Sequence, residues 1–398
     1  MTTNTVKNKK YIVKYKAITI YKRENVMKRI YNYLKKDAVL TISWVLAIIS
    51  MLFIKPDKAY AGYIDWRSLG ILWSLMIITK GYMQNGIFEK IGHALLARTR
   101  KMWQLIAVLV GLNFFSSMII TNDVSLITFV PFAIMMLKQC GRQELMIPVV
   151  VLQTIAANLG SMLTPIGNPQ NLYLYGLAGT GIGEFIMWLL PYTIVSALLL
   201  VISILLIKNK NEIICIEDTD SEAAHNTSVP RVMAYSVLFV LALLVVARVL
   251  TWYILAAAVL ITVLLLEKNV LAKADYALLL TFIGFFIFTG NMGRVEPVAH
   301  FLAGIVNGRE LEAGIITSQC ISNVPAALLL SEFTDNIKNL AIGVNIGGLG
   351  TLIASMASLI SYKLYANEVP EKKGKYFAVF TVYNIIFLVV LYVFTKLI

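Results

Sequence analysis

Long hydrophobic runs without a formal charge dominate the chain. The clearest of them cover residues 38–54, 185–207, 249–266, 339–362 and 376–395. A helix needs about 20 apolar residues to cross roughly 30 Å of hydrocarbon, and these runs approach or exceed that length. They are continuous rather than alternating, which is typical of membrane helices and not of barrel strands. The pattern therefore predicts an all-α polytopic membrane protein.

Two hydrophobic stretches, 102–137 and 313–330, are interrupted near the middle by polar residues. The first has basic residues at both ends, whereas a membrane-spanning helix has only one cytoplasmic end. Non-helical backbone at membrane depth is tolerated where it is buried in protein or lines a wet cavity. We therefore expect two re-entrant hairpins, with the polar tips Thr121-Asn122-Asp123 and Ser322-Asn323-Val324.

Two further stretches, 145–183 and 337–362, are interrupted by glycine and asparagine, with prolines in the first. The first is too long for one span, and proline and glycine at that density break a helix. Each stretch therefore predicts a helix with an unwound middle. With amphipathic segments at 84–100 and 293–308, the chain as a whole predicts about 9–11 transmembrane helices.

The two halves share the same order of elements, and the match reaches individual residues. Three positions keep their spacing between the halves: Asn158, Gly160 and Thr164 in the first, and Asn345, Gly347 and Thr351 in the second. An odd number of spans in each copy would invert the second copy. Inverted repeats with paired broken helices predict a transport site near the bilayer midplane. The alternative is that these small and polar residues serve helix packing alone.

Charge sets the expected orientation and the domain boundaries. The net charge is +13, yet only 14% of residues are charged and the mean hydropathy is +0.75. The first 36 residues hold eleven Lys or Arg and one acid, which predicts a cytoplasmic N-terminus in the plasma membrane rather than a nucleic-acid partner. Met27 is an alternative start of translation, because a basic pair follows it. We expect a basic flank at 1–37, repeats at 38–207 and 231–398, and a cytoplasmic linker at 208–230.

The hairpin tips carry the candidate chemistry. Helix N-termini present free N–H groups and a partial positive charge, which together make an anion site. The predicted substrate ligands are Thr121, Asn122, Ser322, Asn323, Thr164 and Thr351. Amide, hydroxyl and unwound carbonyl oxygens suit Na⁺. The predicted cation ligands are Asn122, Asp123, Asn158, Gly160, Asn323, Asn345 and Gly347.

Two charged residues leave alternatives open. Asp123 could bind a proton or Na⁺, or it could cap the second helix of the first hairpin. Lys80 could face an anionic substrate, or it could reach the membrane surface as a flanking residue. The three cysteines lack the spacing of metal ligands. We expect no cofactor, and no metal beyond Na⁺; Na⁺ or H⁺ is the expected coupling ion.

Four segments resemble the citrate-transporter-like permeases of the ion transporter superfamily, a group that includes divalent anion/sodium symporters, arsenite permeases and one class of Na⁺/H⁺ antiporters. The segments are ITNDVSLITFVP, NLGSMLTPIGNPQNLYLYG, SNVPAALL and VNIGGLGTLIASMASLISYKLY. The resemblance covers about residues 38–397. It implies a scaffold, a mobile transport domain, a homodimer and an elevator-like motion.

The resemblance also implies a Ser-Asn-Thr motif at each tip, which holds substrate carboxylates and, with the broken helices, two Na⁺. Here each Asn and each leading hydroxyl is kept. Asp123 and Val324 stand where the family has threonine. The Asn-Asp pair at the first tip is more similar to the arsenite-permease and antiporter branches.

The sequence therefore predicts Na⁺- or H⁺-coupled transport of a small anion, with citrate or another di- or tricarboxylate as the leading substrate. Arsenite or antimonite efflux and Na⁺/H⁺ antiport are the alternatives. An intramembrane enzyme is a remote alternative, because the chain has no HExxH or GxSxG motif and no paired intramembrane carboxylates. The expected partners are the anionic substrate, the lipid bilayer and a second copy of the chain.

Overall fold

A computed structural model describes residues 38–96, 99–207, 212 and 228–398. The basic flank at 1–37, the alternative start at Met27 and nearly all of the linker at 208–230 lie outside the described residues. In the first half the helices are α1 (Ala38–Phe53), α2 (Tyr60–Tyr63), α3 (Trp66–Gln84), α4 (Ile87–Leu96), α5 (Met102–Ile120), α6 (Asn122–Gln139), α7 (Met146–Ser161), α8 (Pro169–Ala178) and α9 (Ile182–Leu206).

The second half repeats this order. Its helices are α10 (Val229–Val246), α11 (Trp252–Leu266), α12 (Tyr276–Gly293), α13 (Glu296–Val306), α14 (Glu310–Ile321), α15 (Asn323–Leu330), α16 (Ile337–Gly347), α17 (Met356–Glu368) and α18 (Lys373–Thr395). No strand occurs in the described residues, so the all-α prediction is confirmed. Six of the helices are long and apolar enough to cross a membrane.

The helices form two packed groups. In the first, which we call the scaffold bundle, α1 packs along α12, while α3 packs along α10 and α11. Close approach explains the glycines there: a β-carbon at Gly70 would lie 2.3 Å from the Trp252 ring. The second group, which we call the hairpin body, contains α5–α9 and α14–α18. The helices α4 and α13 connect the two groups in the chain.

Capping side chains show that α3 and α12 are equivalent helices of the two repeats. The carboxylate of Asp65 accepts a hydrogen bond from the backbone N–H of Ser68, and that of Asp275 accepts one from the N–H of Leu278, at 3.0 and 3.1 Å. Such N-caps typically contribute about 1 kcal/mol to helix stability. Ser68 in the first repeat therefore corresponds to Leu278 in the second.

The end of α11 places a buried carboxylate among four donors. Glu267, whose side chain is 5% exposed, accepts hydrogen bonds from Arg231 at 2.9 Å, Tyr235 at 3.0 Å, Asn85 at 3.2 Å and Gln84 at 3.4 Å. These donors belong to α10 and to the end of α3. A buried carboxylate is stable only when its oxygens are paired in this way. Glu267 therefore fixes three scaffold helices to one another.

Replacing Glu267 by alanine is expected to lower the stability of the detergent-solubilised protein by about 2–4 kcal/mol, because buried Tyr235 and Asn85 lose their acceptor. The measurement is the thermal unfolding midpoint. Glu144→Ala is the matched control, since Glu144 is half exposed and its pair with Arg142 is expected to contribute less than about 1 kcal/mol. Equal midpoints for the two variants would contradict the assignment.

Candidate functional site

Both hairpins turn through one residue in an unusual backbone conformation. Thr121, between α5 and α6, has φ 74° and ψ 148°, and Ser322, between α14 and α15, has φ 78° and ψ 154°. These values approach a region that is occupied almost only by glycine, and they cost about 1–3 kcal/mol for other residues. The same strained turn at both tips indicates that the surrounding structure imposes it.

Each tip is held by the unwound part of the broken helix in its own repeat. The backbone N–H of Asn122 donates to the carbonyl of Gly167 at 3.2 Å, and that of Asn323 donates to the carbonyl of Ala354 at 2.9 Å. Asn122 and Asn323 begin α6 and α15, where N–H groups have no partner within the helix. The breaks therefore satisfy the first N–H of each second hairpin helix.

The two threonines predicted as substrate ligands bond to the first helix of each hairpin, α5 or α14, rather than to the second. The hydroxyl of Thr164 donates to the carbonyl of Met118 at 2.5 Å, and that of Thr351 donates to the carbonyl of Gln319 at 3.3 Å. These carbonyls lie in the last turns of α5 and α14, where helix carbonyls lack intrahelical partners. Both threonines thus join a hairpin to a break.

The centre of the hairpin body is a crossing of the two broken helices through asparagine side chains. The Asn158 Oδ1 atom accepts from Ser355 at 3.0 Å and from Asn122 at 3.2 Å, while its Nδ2 atom donates to Ser358 at 3.2 Å. All four side chains are buried. Asn158 of the first repeat therefore bonds to the break of the second.

Asn345 makes the reciprocal contacts. Its Nδ2 atom donates to Asn171 at 2.6 Å, and its Oδ1 atom accepts from Asn168 at 3.1 Å. Asn168 and Asn171 occupy the positions in the first repeat that Ser355 and Ser358 occupy in the second, given the matched spacing. The crossing thus has a pseudo-two-fold axis, as two inverted copies require.

Gly160 and Gly347 allow the hairpins to approach the broken helices. A β-carbon at Gly160 would lie 2.1 Å from the carbonyl oxygen of Phe114, and one at Gly347 would lie 2.8 Å from the hydroxyl of Ser318. No side chain fits at the first position without a shift of the backbone. Close packing therefore requires glycine at both positions. The carbonyls of Gly160 and Gly347 stay predicted cation ligands.

Two side-chain amides that the sequence analysis missed bind carbonyls of the breaks. The Asn171 Nδ2 atom donates to the carbonyls of Met162 at 2.7 Å and Thr164 at 3.1 Å. The Gln319 Nε2 atom donates to the carbonyls of Gly347 at 2.8 Å and Leu349 at 2.9 Å. A cation that uses these carbonyls would share them with the amide donors or displace those donors.

Asp123 lies in the first turn of α6 and is not its cap. The cap position belongs to Thr121, and the N–H of Asp123 donates to the Asn122 side chain at 3.0 Å. Asp123 and Thr121 instead line a cavity of about 100 Å³ that also receives Lys80 from α3 and Asp275 from the start of α12. The cavity therefore lies between the two helix groups.

The charges of this cavity are not directly paired. In the part of the chain that the structure describes, no ion pair within 4 Å includes Lys80, Asp123 or Asp275, and the nearest polar contact of the Lys80 ammonium is the Met83 sulfur at 3.9 Å. The three groups together carry a formal charge of −1. The sequence analysis did not select Asp275, because only the packing of the scaffold helices brings it into the cavity with Lys80.

The two hairpin tips lie at unequal depths in the scaffold. The first tip is level with the first turn of α12, since Asp123 lines one cavity with Leu278. In the second hairpin, the C-terminal end of α15 reaches the level of the start of α3. Ser331, which follows α15, bonds to Tyr173 of α8 at 3.0 Å. Gly176, one turn further along α8, lies beside Ser68 at the start of α3. Because α15 has eight residues, the second tip lies about 12 Å along the helix from this end.

The outer end of α8 is fastened to the scaffold bundle. The Arg248 guanidinium donates to the carbonyls of Gly179 at 2.6 Å and Tyr175 at 3.2 Å and lies 5.1 Å from the centre of the Tyr175 ring. The Tyr175 hydroxyl donates to the carbonyl of Val246 at 3.0 Å. Arg248, which follows the end of α10, therefore binds the C-terminal end of α8.

The arrangement brings together donors and acceptors but few charges. Among the described residues, no group of three His, Cys, Asp or Glu is placed to hold a metal ion. The site consists of amides, hydroxyls, backbone N–H groups and one lone carboxylate at the first tip. Such groups suit an anion at helix N-termini and hard cations at oxygens.

Comparisons with known proteins agree with this architecture. The family model described as "Citrate transporter" matches residues 32–338. The uncharacterized transporter MJ0456 of Methanocaldococcus jannaschii is 31% identical over 90% of this chain and 97% of its own length. The inner membrane protein YbiR of Escherichia coli is 30% identical over 81% and 87%, respectively. The silicon efflux transporter LSI3 of Oryza sativa is 30% identical over 36% of this chain and 30% of its own length.

Thr121→Gly and Ser322→Gly are each expected to raise the free energy of unfolding by about 1 kcal/mol, because glycine adopts the tip conformation without strain. The measurement is the thermal unfolding midpoint in detergent. Thr128→Gly, in the middle of α6, is the control and is expected to lower stability by about 1 kcal/mol. A loss of stability at both tips would show that the turns are not strained.

Proposed function

Because this chain belongs to the citrate transporter family, we propose that it is a secondary active transporter that moves a small anion across the plasma membrane, coupled to Na⁺ or H⁺. Citrate or another di- or tricarboxylate is the leading substrate. The observation that carries the proposal is the crossing of two broken helices between two strained hairpin tips. Unwound backbone in the middle of a membrane protein is costly, and helix packing alone does not require it.

Helix N-termini support the choice of an anion. The tips begin α6 and α15, and each helix directs its positive end toward the crossing. Thr121 and Ser322 supply hydroxyls, and Asn122 and Asn323 supply amides, as the predicted substrate ligands. The N–H groups of these helix starts that do not already bond to the breaks or to Asn122 would bind carboxylate oxygens without a basic side chain.

Oxygen atoms support cation coupling at the first tip. Asp123 is the only carboxylate of the two tips, and the second tip has Val324 in its place. The predicted ligands Asn158 and Asn345 already share their amide oxygens with donors of the other repeat. A coupling Na⁺ or H⁺ is therefore assigned in this proposal to the Asp123 side of the site.

The unequal depths of the tips support alternating access. The hairpin body is displaced toward the side where α3 ends, which is the predicted cytoplasmic side. The inverted repeat implies a second position in which the roles of the tips are exchanged. In that position Val324 would meet the start of α3, as Asp123 now meets the start of α12. The displacement between the two positions is about 12 Å, the length of α15.

One scaffold cysteine can report both positions. With the native cysteines replaced by serine, Ser68→Cys is expected to cross-link with Gly176→Cys in the present position, where the two sites are in contact. Ser68→Cys is expected to cross-link with Val324→Cys only in the exchanged position, because a disulfide requires β-carbons about 4 Å apart. Gel mobility after oxidation in native membranes measures both. If the Val324 pair never forms with or without substrate, the motion does not occur.

A second candidate function is suggested by the cavity beside the first tip. Its formal charge of −1, from Lys80, Asp123 and Asp275, is unfavourable for a dicarboxylate and compatible with a cation or a small uncharged hydroxylated molecule. The rice relative is named as a silicon efflux transporter. Efflux of a small uncharged oxyacid such as arsenious acid, or Na⁺/H⁺ antiport, is therefore the alternative. We propose no enzymatic activity, since the relatives named above by function are transporters.

A ligand panel separates these functions. The purified protein is heated with citrate, succinate, malate, sulfate or arsenite, each with and without Na⁺. A ligand at a hundredfold excess over its dissociation constant stabilises the folded state by about 2.7 kcal/mol. Stabilisation by a di- or tricarboxylate that requires Na⁺ or low pH is the expected result. Stabilisation by arsenite alone, or by Na⁺ alone, would favour the alternatives.

Asp123→Asn tests the coupling in proteoliposomes. It keeps the size of the side chain and removes its charge, so ion-driven accumulation is expected to fall at least about tenfold, the effect of 1.4 kcal/mol on the coupled step. Glu144→Gln, at the exposed base of the hairpin body, is the matched control and is expected to transport normally. Unchanged accumulation by Asp123→Asn would remove Asp123 from the coupling site.

A further inference from the structure

An apolar groove lies between the scaffold bundle and the first hairpin. It encloses about 680 Å³, within the size range of small-molecule sites. Its walls come from four places: α5, the connecting helix α4, Phe129 of α6, and the scaffold residues Tyr82 and Phe239. The proposed transport site lies elsewhere, at the crossing of the broken helices.

The lining leaves no polar group free for a ligand. The hydroxyl of Tyr82 bonds to Ser236 at 3.0 Å, and the hydroxyl of Ser116 bonds to Ser125 at 2.8 Å. The other lining residues are aliphatic or aromatic side chains or glycine, and Phe115 and Ile119 expose half or more of their surface. The occupant must therefore be apolar where it touches the groove.

The groove is long enough to hold a lipid tail. Along α5 it extends from Ala107 to Ile120, about 20 Å at 1.5 Å per residue. The hydrocarbon core of a bilayer is roughly 30 Å thick and holds two leaflets, so one acyl chain spans about 15 Å. A single acyl chain of one leaflet can therefore fill about three quarters of the groove.

Charge complementarity identifies the head of this lipid. Arg100 and Lys101 directly precede α5, are exposed, and form no ion pair among the residues that the structure describes. Trp103 follows them with 39% of its surface exposed. Exposed Trp beside basic residues is typical of the headgroup level of a membrane. From Lys101 to the groove at Ala107 is about 9 Å along the helix, a distance that a phospholipid headgroup and glycerol can bridge.

We infer that this groove is a binding site for one anionic phospholipid, with an acyl chain between α4, α5 and Phe239 and its phosphate beside Arg100 and Lys101. A second copy of the chain fits the groove less well. Two copies related by a two-fold axis present the same surface to each other, and two concave surfaces leave the groove unfilled. The inference does not depend on the identity of the transported substrate.

Gly111 makes the site testable. It lines the groove, and a β-carbon added there would meet nothing within 4 Å. Gly111→Leu therefore fills the groove without a clash with the backbone. Gly304→Leu, on α13, is the matched control, because Gly304 is an exposed helical glycine with the same free space and lies outside the groove.

The full-length protein is reconstituted with phosphatidylglycerol that carries a photoactivatable diazirine on its acyl chain, and labelled peptides are mapped by mass spectrometry. Label is expected to concentrate on residues 107–120 relative to the exposed face of α9. Gly111→Leu is expected to reduce that label about tenfold, whereas Gly304→Leu leaves it unchanged. Lys101→Glu is expected to reduce labelling by phosphatidylglycerol and not by a phosphatidylcholine probe.

Three results would overturn the inference. Even labelling of α5 and α9 would show ordinary boundary lipid only. Labelling unaffected by both Gly111→Leu and Lys101→Glu would exclude a defined site. Protein–protein cross-links from this face in place of lipid adducts would assign the groove to a second copy. Lys101 is exposed, so Lys101→Glu is expected to fold normally. This variant therefore tests the inference even where Gly111→Leu disturbs folding.

Discussion

The need to satisfy backbone hydrogen bonds away from water governs this structure. Helices that break inside a membrane expose carbonyl and N–H groups, and each buried group left without a partner costs several kcal/mol. The chain meets this requirement with side chains. Asn171 and Gln319 bind the carbonyls of the two breaks, and Asn158 and Asn345 hold the broken helices against each other. The site could not keep its unwound backbone without this set of amides.

The same requirement makes the two repeats similar in detail. A hairpin tip can stay non-helical only where the break of its own repeat accepts the first N–H of the second helix, as Gly167 and Ala354 do. The glycines at 160 and 347 bring the hairpins near enough for this. The same contacts therefore stabilise the fold and form the candidate site. A change in either hairpin is expected to alter the crossing of the broken helices.

Long apolar runs without charge were sufficient to predict the membrane helices, because each helix in lipid must satisfy its backbone hydrogen bonds internally. Hairpins and breaks were also predictable, since polar residues in the middle of an apolar span are costly in lipid and therefore mark backbone that is buried in protein. What could not be predicted were contacts between segments far apart in the chain. Asn158 meets Ser358 only through the crossing, and Lys80 meets Asp275 only through packing of the scaffold. The short helix α2 was missed because four residues carry no periodic signal.

The cap alternative for Asp123 was wrong for a local reason. With Thr121 in a left-handed conformation, α6 begins one residue before Asp123, so its carboxylate points from the first helical turn toward the cavity rather than back onto the helix end. The roles of the predicted substrate and cation ligands stay predictions. Their positions at the two tips and the crossing show that the sequence pattern serves packing, and the proposed binding would use the same positions.

The unequal depths of the two tips involve the surrounding bilayer. In the proposed motion, one group of helices displaced by about 12 Å along the membrane normal would shift its apolar belt against that of the other group. Lipid around the boundary must then thin on one side and thicken on the other, at a fraction of a kcal/mol per ångström of mismatch. Under the proposed motion, membrane thickness would contribute to the balance between the two positions of the hairpin body, and bilayer composition would become part of the conformational equilibrium.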